Sequence, residues 1–297
     1  MEIFSIHTVE RETGLTKDAL RKWEVRYGFP QPQRQSNGER FYTRSDLNRL
    51  ISIKKLMEQG YKPSQVVALS LAELERLKNG LPSVETLTQG PYQSILNQAW
   101  QALQVPDSLG LSVILKHALS LYGCRLFVVE IMPVLNNMVG TGWANGSIAI
   151  HQEHLYAVHV RDVLICAIDK IPLKPDGPRV LLSTPPEEYH QLGLLMLQAI
   201  LALSGAHCIL LGASVPVTEL IKAAKCHQVS IVALSFSIAY PSRRIKPYLD
   251  DVRLQLPENI QLWAGGAGID NLRRKLDSIW TFDSLAAVEE EISRHSR

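Results

Sequence analysis

Glu188-Tyr189-His190-Gln191-Leu192-Gly193 decides the fold because of what lies on either side of it. Before it, Arg179-Val180-Leu181-Leu182-Ser183-Thr184 is short and apolar enough to be a buried strand. After it, Leu194 to Leu203 is almost continuously apolar, with Met, Gln and Ala among the leucines, and reads as a buried helix. Strand, polar loop and helix make the first half of a βαβ unit, and ligands on such sheets collect at the carboxyl ends of the strands. His190 therefore stands where an imidazole can leave the core and meet a ligand, and Gly193 lets the body of that ligand approach the backbone. Glu188, two residues earlier, can hold the second ring nitrogen and so fix the tautomer of a metal-bound imidazole.

Two further features share the same rim. After Gly193 come 41 residues and then Ser235-Phe236-Ser237, at the end of the apolar run Val229 to Leu234. After Ser237 come 27 residues and then Gly265-Gly266, at the end of Ile260-Gln261-Leu262-Trp263-Ala264. Strands are expected at 179–183, 207–211, 229–234, 260–264 and near 279–282, each followed by a helical stretch. That alternation is an α/β doubly wound, five-stranded parallel sheet over residues 178–297. The string resembles the cobalamin-binding domain of methionine synthases and mutases, whose pattern is Asp-x-His-x-x-Gly, then Ser-x-Leu, then Gly-Gly. Two departures are visible: Glu188 stands for the Asp and Ser237 for the Leu. The resemblance implies that His190 is the lower axial ligand of cobalt, with Glu188 behind it. It gives Gly193, Ser235, Gly265 and Gly266, with Ser237 beside them, to the nucleotide tail of the cofactor.

At the other end, Ser5 caps a short helix that Gly14 ends, and Thr16 caps a second that runs from Lys17 to Arg26 with Leu20 and Trp23 facing inward. Two short helices with a glycine between them make a helix-turn-helix. Arg34, Gly38 and Arg40-Phe41-Tyr42 form a short basic hairpin, a wing suited to phosphates, and a third helix starts at Thr43-Arg44-Ser45-Asp46 and runs to Gly60. Residues 1–62 carry 12 Lys and Arg against 8 Asp and Glu, a local excess of +4 in a chain of net charge +2, which points to a polyanion at this end. The ordered string from Leu20-Arg21-Lys22-Trp23-Glu24 through Arg26-Tyr27-Gly28-Phe29-Pro30 and Arg34 to Arg40 and Tyr42 is similar to the DNA-binding domain of MerR-family regulators. The resemblance implies a winged helix-turn-helix over residues 1–75 and contacts to double-stranded operator DNA from Lys17, Arg21, Lys22, Arg26, Arg34, Arg40 and Tyr42.

Residues 76–91, with their glycines and prolines, read as a linker, and 174–178 as a second. Between them, residues 92–172 have helical patterning. Ile95, Ala99, Ala102 and Leu103 share one face before Pro106, followed by 113–121, 128–139 and 151–168, and four helices in that span predict a four-helix-bundle cap. Trp143 is followed after nine residues by Glu153-His154. In this context the string resembles the Trp-x9-Glu-His motif of cobalamin-dependent, light-responsive MerR-type repressors, the CarH, CarA and LitR kind. That resemblance implies that Trp143, Glu153 and His154 hold an adenosyl group on the upper face of cobalt. The photoreceptors of this kind carry a histidine directly after the Trp, and here that residue is Ala144.

A composition of 46% hydrophobic and 20% charged residues over 297 positions is that of ordinary globular domains, two or three of them. Cys124, Cys166, Cys208 and Cys226 have no zinc spacing and read as buried thiols in a reducing cytosol. No basic segment followed by an apolar run opens the chain, and the longest apolar run, 192–203, is too short to span a bilayer, so a cytoplasmic protein without a membrane partner is expected. An enzyme on the same cofactor domain would need a barrel of about 250 residues for its substrate, and none is present. The expectation is a non-enzymatic regulator, a repressor that senses adenosylcobalamin and light and assembles with itself as a dimer or tetramer. The second reading keeps the regulator and changes the signal to cobalamin without photochemistry, or to another tetrapyrrole or small ligand.

Overall fold

Side-chain capping sets the first two helices. Ser5 accepts from the Thr8 amide to open α1 (Ile6–Thr13), and Gly14, left-handed at φ 67°, closes it. Thr16 accepts from the Ala19 amide to open α2 (Lys17–Tyr27), and Gly28 closes it in the same way. A three-stranded antiparallel sheet of β1 (Ile3–Ser5), β3 (Arg40–Thr43) and β2 (Gln33–Arg34), in that order, flanks the helices. β1 was not expected, because three residues are too few to show a period. The helix α3 (Arg44–Glu58) and the short α4 (Pro63–Val66) complete the winged helix-turn-helix. Val9, Leu20, Trp23, Phe29, Leu50, Ile53 and Leu56 fill its core. Tyr42 joins them at 1% exposure, which corrects the expectation that it meets DNA: alternation in β3 turns its ring inward.

The computed structural model describes residues 3–35, 38–58, 60–71, 73–74, 77, 90–105, 108–269 and 278–295. Most of the linker expected at 76–91, and Pro106, lie outside the described residues. The chain forms two compact units, Met1–Leu87 with Met138–Ile150, and Thr88–Asn137 with His151–Arg297.

Helices occupy the middle of the chain. α5 (Gln93–Gln104) buries Ile95, Leu96, Ala99 and Leu103. α6 (Ser108–Leu126) is interrupted at Gly123, whose φ of 75° and ψ of 161° only glycine adopts readily. A π-helical turn at Phe127–Ile131 leads without a loop into α7 (Met132–Asn145), and α8 (Ile150–Ile168) follows. The second and third expected helices are thus separated by one glycine. The expectation from run length also changes: the helical stretch Leu109–Trp143 is long and apolar enough, by length and composition, to cross a membrane. Gly123 divides it, and its π turn packs on the helix that follows β4.

Beyond residue 178 the order is β4 (Arg179–Ser183), α9 (Leu192–Leu203), β5 (His207–Gly212), α10 (Val217–Cys226), β6 (Ile231–Ser235), α11 (Ser242–Gln255), β7 (Gln261–Gly265), β8 (Trp280–Phe282) and α12 (Leu285–His295). The strands are parallel and lie in the order β5-β4-β6-β7-β8. Alternation along each strand sends side chains to two helical layers. Leu181, Val232, Leu234 and Leu262 pack with α10 and α11 on one face. Val180, Leu182, Ile231, Ala233 and Trp263 pack with α9 and α12 on the other. Strand order reverses between β4 and β6, so the loops leaving their carboxyl ends diverge and open a crevice. The cysteines are not buried as expected: Cys166 and Cys226 are exposed on outer helix faces, and Cys124 and Cys208 are half-buried.

Glu24 ties α2 to the wing, with Arg34 Nη2 at 3.1 Å and Arg40 Nε at 3.0 Å. Burial alone would raise its carboxyl, but hydrogen bonds from Arg40 and Arg34 outweigh burial and hold it below its ordinary value of 4.5. A carboxyl depressed by folding stabilises the fold above its unfolded pKa and loses that contribution as pH falls through the folded one. Glu24→Gln should therefore lower stability at neutral pH by up to about 1 kcal/mol. In acid below 4.5 the difference between Gln and wild type should close in urea unfolding. A gap that stays constant with pH would show that the ion pairs contribute nothing.

Candidate functional site

Two prolines after β4, Pro185 and Pro186, stop the chain from continuing as strand or helix, and residues 184–191 form the loop that carries His190. Glu188 is only 2% exposed. One of its oxygens, Oε1, lies 2.6 Å from His190 Nδ1 and accepts from the His190 amide at 2.9 Å. The other, Oε2, accepts from Ser237 Oγ at 2.6 Å and from the Ser237 amide at 3.1 Å. Burial would raise the Glu188 carboxyl, but the bonds from His190 and Ser237 outweigh it and hold the group below its ordinary range, so it is ionised at neutral pH. An ionised carboxylate can only accept, which keeps a proton on Nδ1 and, in the neutral ring, leaves the lone pair on Nε2. The ring itself is 60% exposed. This is the donor arrangement of a metal-binding imidazole oriented by a carboxylate.

The structure brings the other expected rim residues beside this pair. Ser235 and Gly265 end neighbouring strands and are register partners. A Cβ on Gly193 would lie 3.2 Å from Ser235 Oγ, so the first turn of α9 packs closely on the end of β6. Gly266 has a nearer reason to be glycine than room for a ligand: at φ 95° its Cβ would lie 2.3 Å from Phe236 O. Gly268, which sequence reasoning missed, is held the same way, with Ser237 O at 2.6 Å. Also missed were Tyr189 and Ile238, exposed by 71% and 49% on the two loops that flank His190. Tyr189 adjoins His190 in the chain, whereas the neighbourhood of Ile238 to the histidine is visible only once β4 and β6 are adjacent.

Trp143 belongs to the first unit, whereas Glu153, His154 and the rim belong to the second. The indole is 8% exposed, and Lys55 Nζ lies 5.3 Å from the ring centre. Glu153 and His154, in the first turn of α8, pair with each other at 3.0 Å.

On the N-terminal domain, Arg21, Lys22 and Arg26 are exposed along α2 and Arg34 is exposed on the wing. Lys17 is half-buried and lies 3.4 Å from Glu10, and Arg40 is half-buried against Glu24. Of the expected DNA contacts, then, four project to solvent and two are packed into ion pairs.

Residues 4–72 match the MerR HTH family regulatory protein family, and residues 178–281 match the B12 binding domain. The HTH-type transcriptional repressor CarH of Myxococcus xanthus is 30% identical over 272 residues, covering 89% of this chain and 89% of that protein. The chain belongs to the CarH-like family of MerR-type transcriptional regulators. The repressor CarA of the same organism is 27% identical over 289 residues, covering 96% of this chain and 93% of CarA. The monomethylamine corrinoid protein of Methanosarcina barkeri shares the fold, with a TM-score of 0.56 at 17% identity over 69% of this chain and 100% of its own. As a CarH-like protein the chain is a DNA-binding regulator with a cobalamin-binding domain, not an enzyme.

Two measurements follow. Arg21→Ala should weaken operator binding without changing cobalamin uptake, and flatten the slope of log affinity against log salt by about 0.9; an unchanged slope would take α2 off the phosphates. His190→Ala should weaken cobalamin binding at least as much as loss of an outer-shell partner does, about 10- to 100-fold, and give the absorption spectrum of free cobalamin. Wild-type affinity and spectrum in that variant would remove His190 from the metal.

Proposed function

We propose that the chain is a cytoplasmic repressor that binds adenosylcobalamin through residues 92–297, responds to light, and binds its operator through residues 1–75 as a dimer or tetramer. The observation that carries this reading is the buried, ionised Glu188 holding Nδ1 of His190 at the switch point of a parallel sheet. The donor set fits the cofactor. A neutral imidazole with its lone pair on Nε2 is a cobalt ligand, and the exposed side chains of Tyr189 and Ile238 offer apolar surface to a corrin ring. Gly193, Ser235 and Gly265 leave space for the nucleotide tail, with a hydroxyl from Ser235. The two departures from the domain's pattern act together. Glu188 is one methylene longer than Asp, and it ends on the amide and hydroxyl of Ser237, where a leucine could offer only the amide.

Bound there, adenosylcobalamin supplies a cobalt–carbon bond that light can break. The rest of the work falls to the chain. His190 would hold the cobalt, Trp143, Glu153 and His154 would hold the adenosyl group on the resemblance to their motif, and the packing of the helices 93–168 would differ between the two states of the regulator. Arg21, Lys22, Arg26 and Arg34 meet phosphates, with Lys17 and Arg40 setting the orientation of helix and wing.

A second reading, a regulator that senses cobalamin or another tetrapyrrole without light, is favoured by one feature: Ala144 follows Trp143 where relatives of this kind carry histidine. The test is the absorption spectrum of the protein loaded with adenosylcobalamin, before and after green light. A change is expected, and the illuminated form should exchange with added cyanide, because the alanine side chain at 144 carries no nitrogen; Ala144→His should block the exchange. No change under light would establish the second reading instead.

A further inference from the structure

The loop that presents His190 is tied sideways by a group that takes no part in the site described above. Thr184, the first residue beyond β4, is fully buried at 0% exposure. Its hydroxyl donates to Glu188 O at 2.6 Å and accepts from the Ser214 amide at 2.9 Å. Its amide donates to Gly212 O and its carbonyl accepts from the Val215 amide, each at 3.3 Å. Every polar atom of Thr184 thus ties the His190 loop to the end of β5 or to the loop between β5 and α10. Ser214 returns the tie, because its hydroxyl accepts from the Glu187 amide at 3.0 Å. Both Glu187 and Ser214 have positive φ, 67° and 59°, a conformation that side chains other than glycine adopt at a cost and keep only where surrounding bonds enforce it. On the outer side the Glu187 carboxylate pairs with Arg244 of α11.

These bonds form a line from Ser214 through Thr184 to Glu188, and from Glu188 to the imidazole. Ser237 holds only the carboxylate end of Glu188, and Thr184 holds its backbone. Loss of the threonine hydroxyl would leave the Glu188 carbonyl and the Ser214 amide without partners in a closed site, which costs more than the bond itself contributes. The cheapest relief is for the loop to move outward to water, and that draws the Glu188 carboxylate off Ser237 on the neighbouring loop and loosens its hold on Nδ1.

We propose that Thr184, with Ser214, is a positioning residue for His190, fixing the Nδ1–H tautomer and the reach of Nε2 before any ligand arrives. The proposal rests on the reading of His190 as the lower ligand of cobalt. Two readouts on the full-length chain test it. In the protein without cofactor, nitrogen NMR of the His190 ring should show Nδ1–H in wild type and in Thr184→Ser, and a shift of the proton toward Nε2 in Thr184→Val. With adenosylcobalamin, Thr184→Val should bind about tenfold more weakly, as outer-shell losses do, with part of the absorption like free cobalamin, and Thr184→Ser should restore both. Ser214→Gly suits the positive φ and removes the side chain that accepts from the Glu187 amide, so it keeps the test open if the valine variant does not fold; it should weaken binding severalfold. Wild-type tautomer, affinity and spectrum in Thr184→Val, or in Ser214→Gly where the valine variant fails, overturn the proposal. If His190→Ala binds cobalamin as wild type does, the lower-ligand reading falls, and the tautomer shift in the protein without cofactor still decides the role of Thr184.

Discussion

A carboxylate at 2% exposure is a liability unless its oxygens are filled, and much of the C-terminal site follows from how Glu188 meets that demand. Four donors serve it, two from residue 190 and two from residue 237. Residue 190 follows β4 and residue 237 follows β6, so one side chain staples the two loops that diverge at the switch point. The same bonds that offset its desolvation also orient the imidazole, and an Nδ1 proton held by the carboxylate leaves Nε2 for a metal. Satisfying a buried charge and preparing a ligand are here one arrangement.

This also explains why the two departures in the pattern are legible singly in the sequence but not jointly. Glu188 and Ser237 are 49 residues apart, and only the adjacency of β4 and β6 brings Oε2 within 2.6 Å of the serine hydroxyl. The parallel sheet was readable because each strand is a short apolar run closed by turn residues, and the observed bounds of β4 and β5 differ from the expected ones by at most one residue. The capped helices were readable because Ser5 and Thr16 are local signals. Tyr42 was misread for the opposite reason: its face in a four-residue strand depends on β1, which is too short to announce itself. The break between α6 and α7 falls in the gap expected between 121 and 128, where a single glycine with a positive φ interrupts the helix. Thr184 carried no signal at all, since a threonine after a strand is ordinary until its partners, 4 and 30 residues away, are known.

The wing shows a related economy of charge. Glu24 lies among six basic residues expected to meet DNA and would seem to oppose them. It instead aligns Arg34 and Arg40 from one carboxylate, and the side chain of Arg34 stays 57% exposed while that of Arg40 is 22% exposed. An arginine with its guanidinium fixed loses less freedom on meeting a phosphate than one that is free to rotate. The acidic residue therefore lowers the net charge of the surface while improving the aim of what remains.

Trp143 presents a different balance. Its ring is buried within the unit that also holds the winged helix-turn-helix, and the ammonium of Lys55, from α3, lies over it. An indole with a cation at one face already has a favourable partner, worth about 0.5–1 kcal/mol where water still reaches it. A ligand that takes this ring must offer more than Lys55 does, and ribose and purine stacking can. Lys55 belongs to α3, whose Leu50, Ile53 and Leu56 form part of the core of the winged helix-turn-helix. A ligand that displaced Lys55 from this ring would act on a side chain of α3, and any linkage between the two would act equally in both directions.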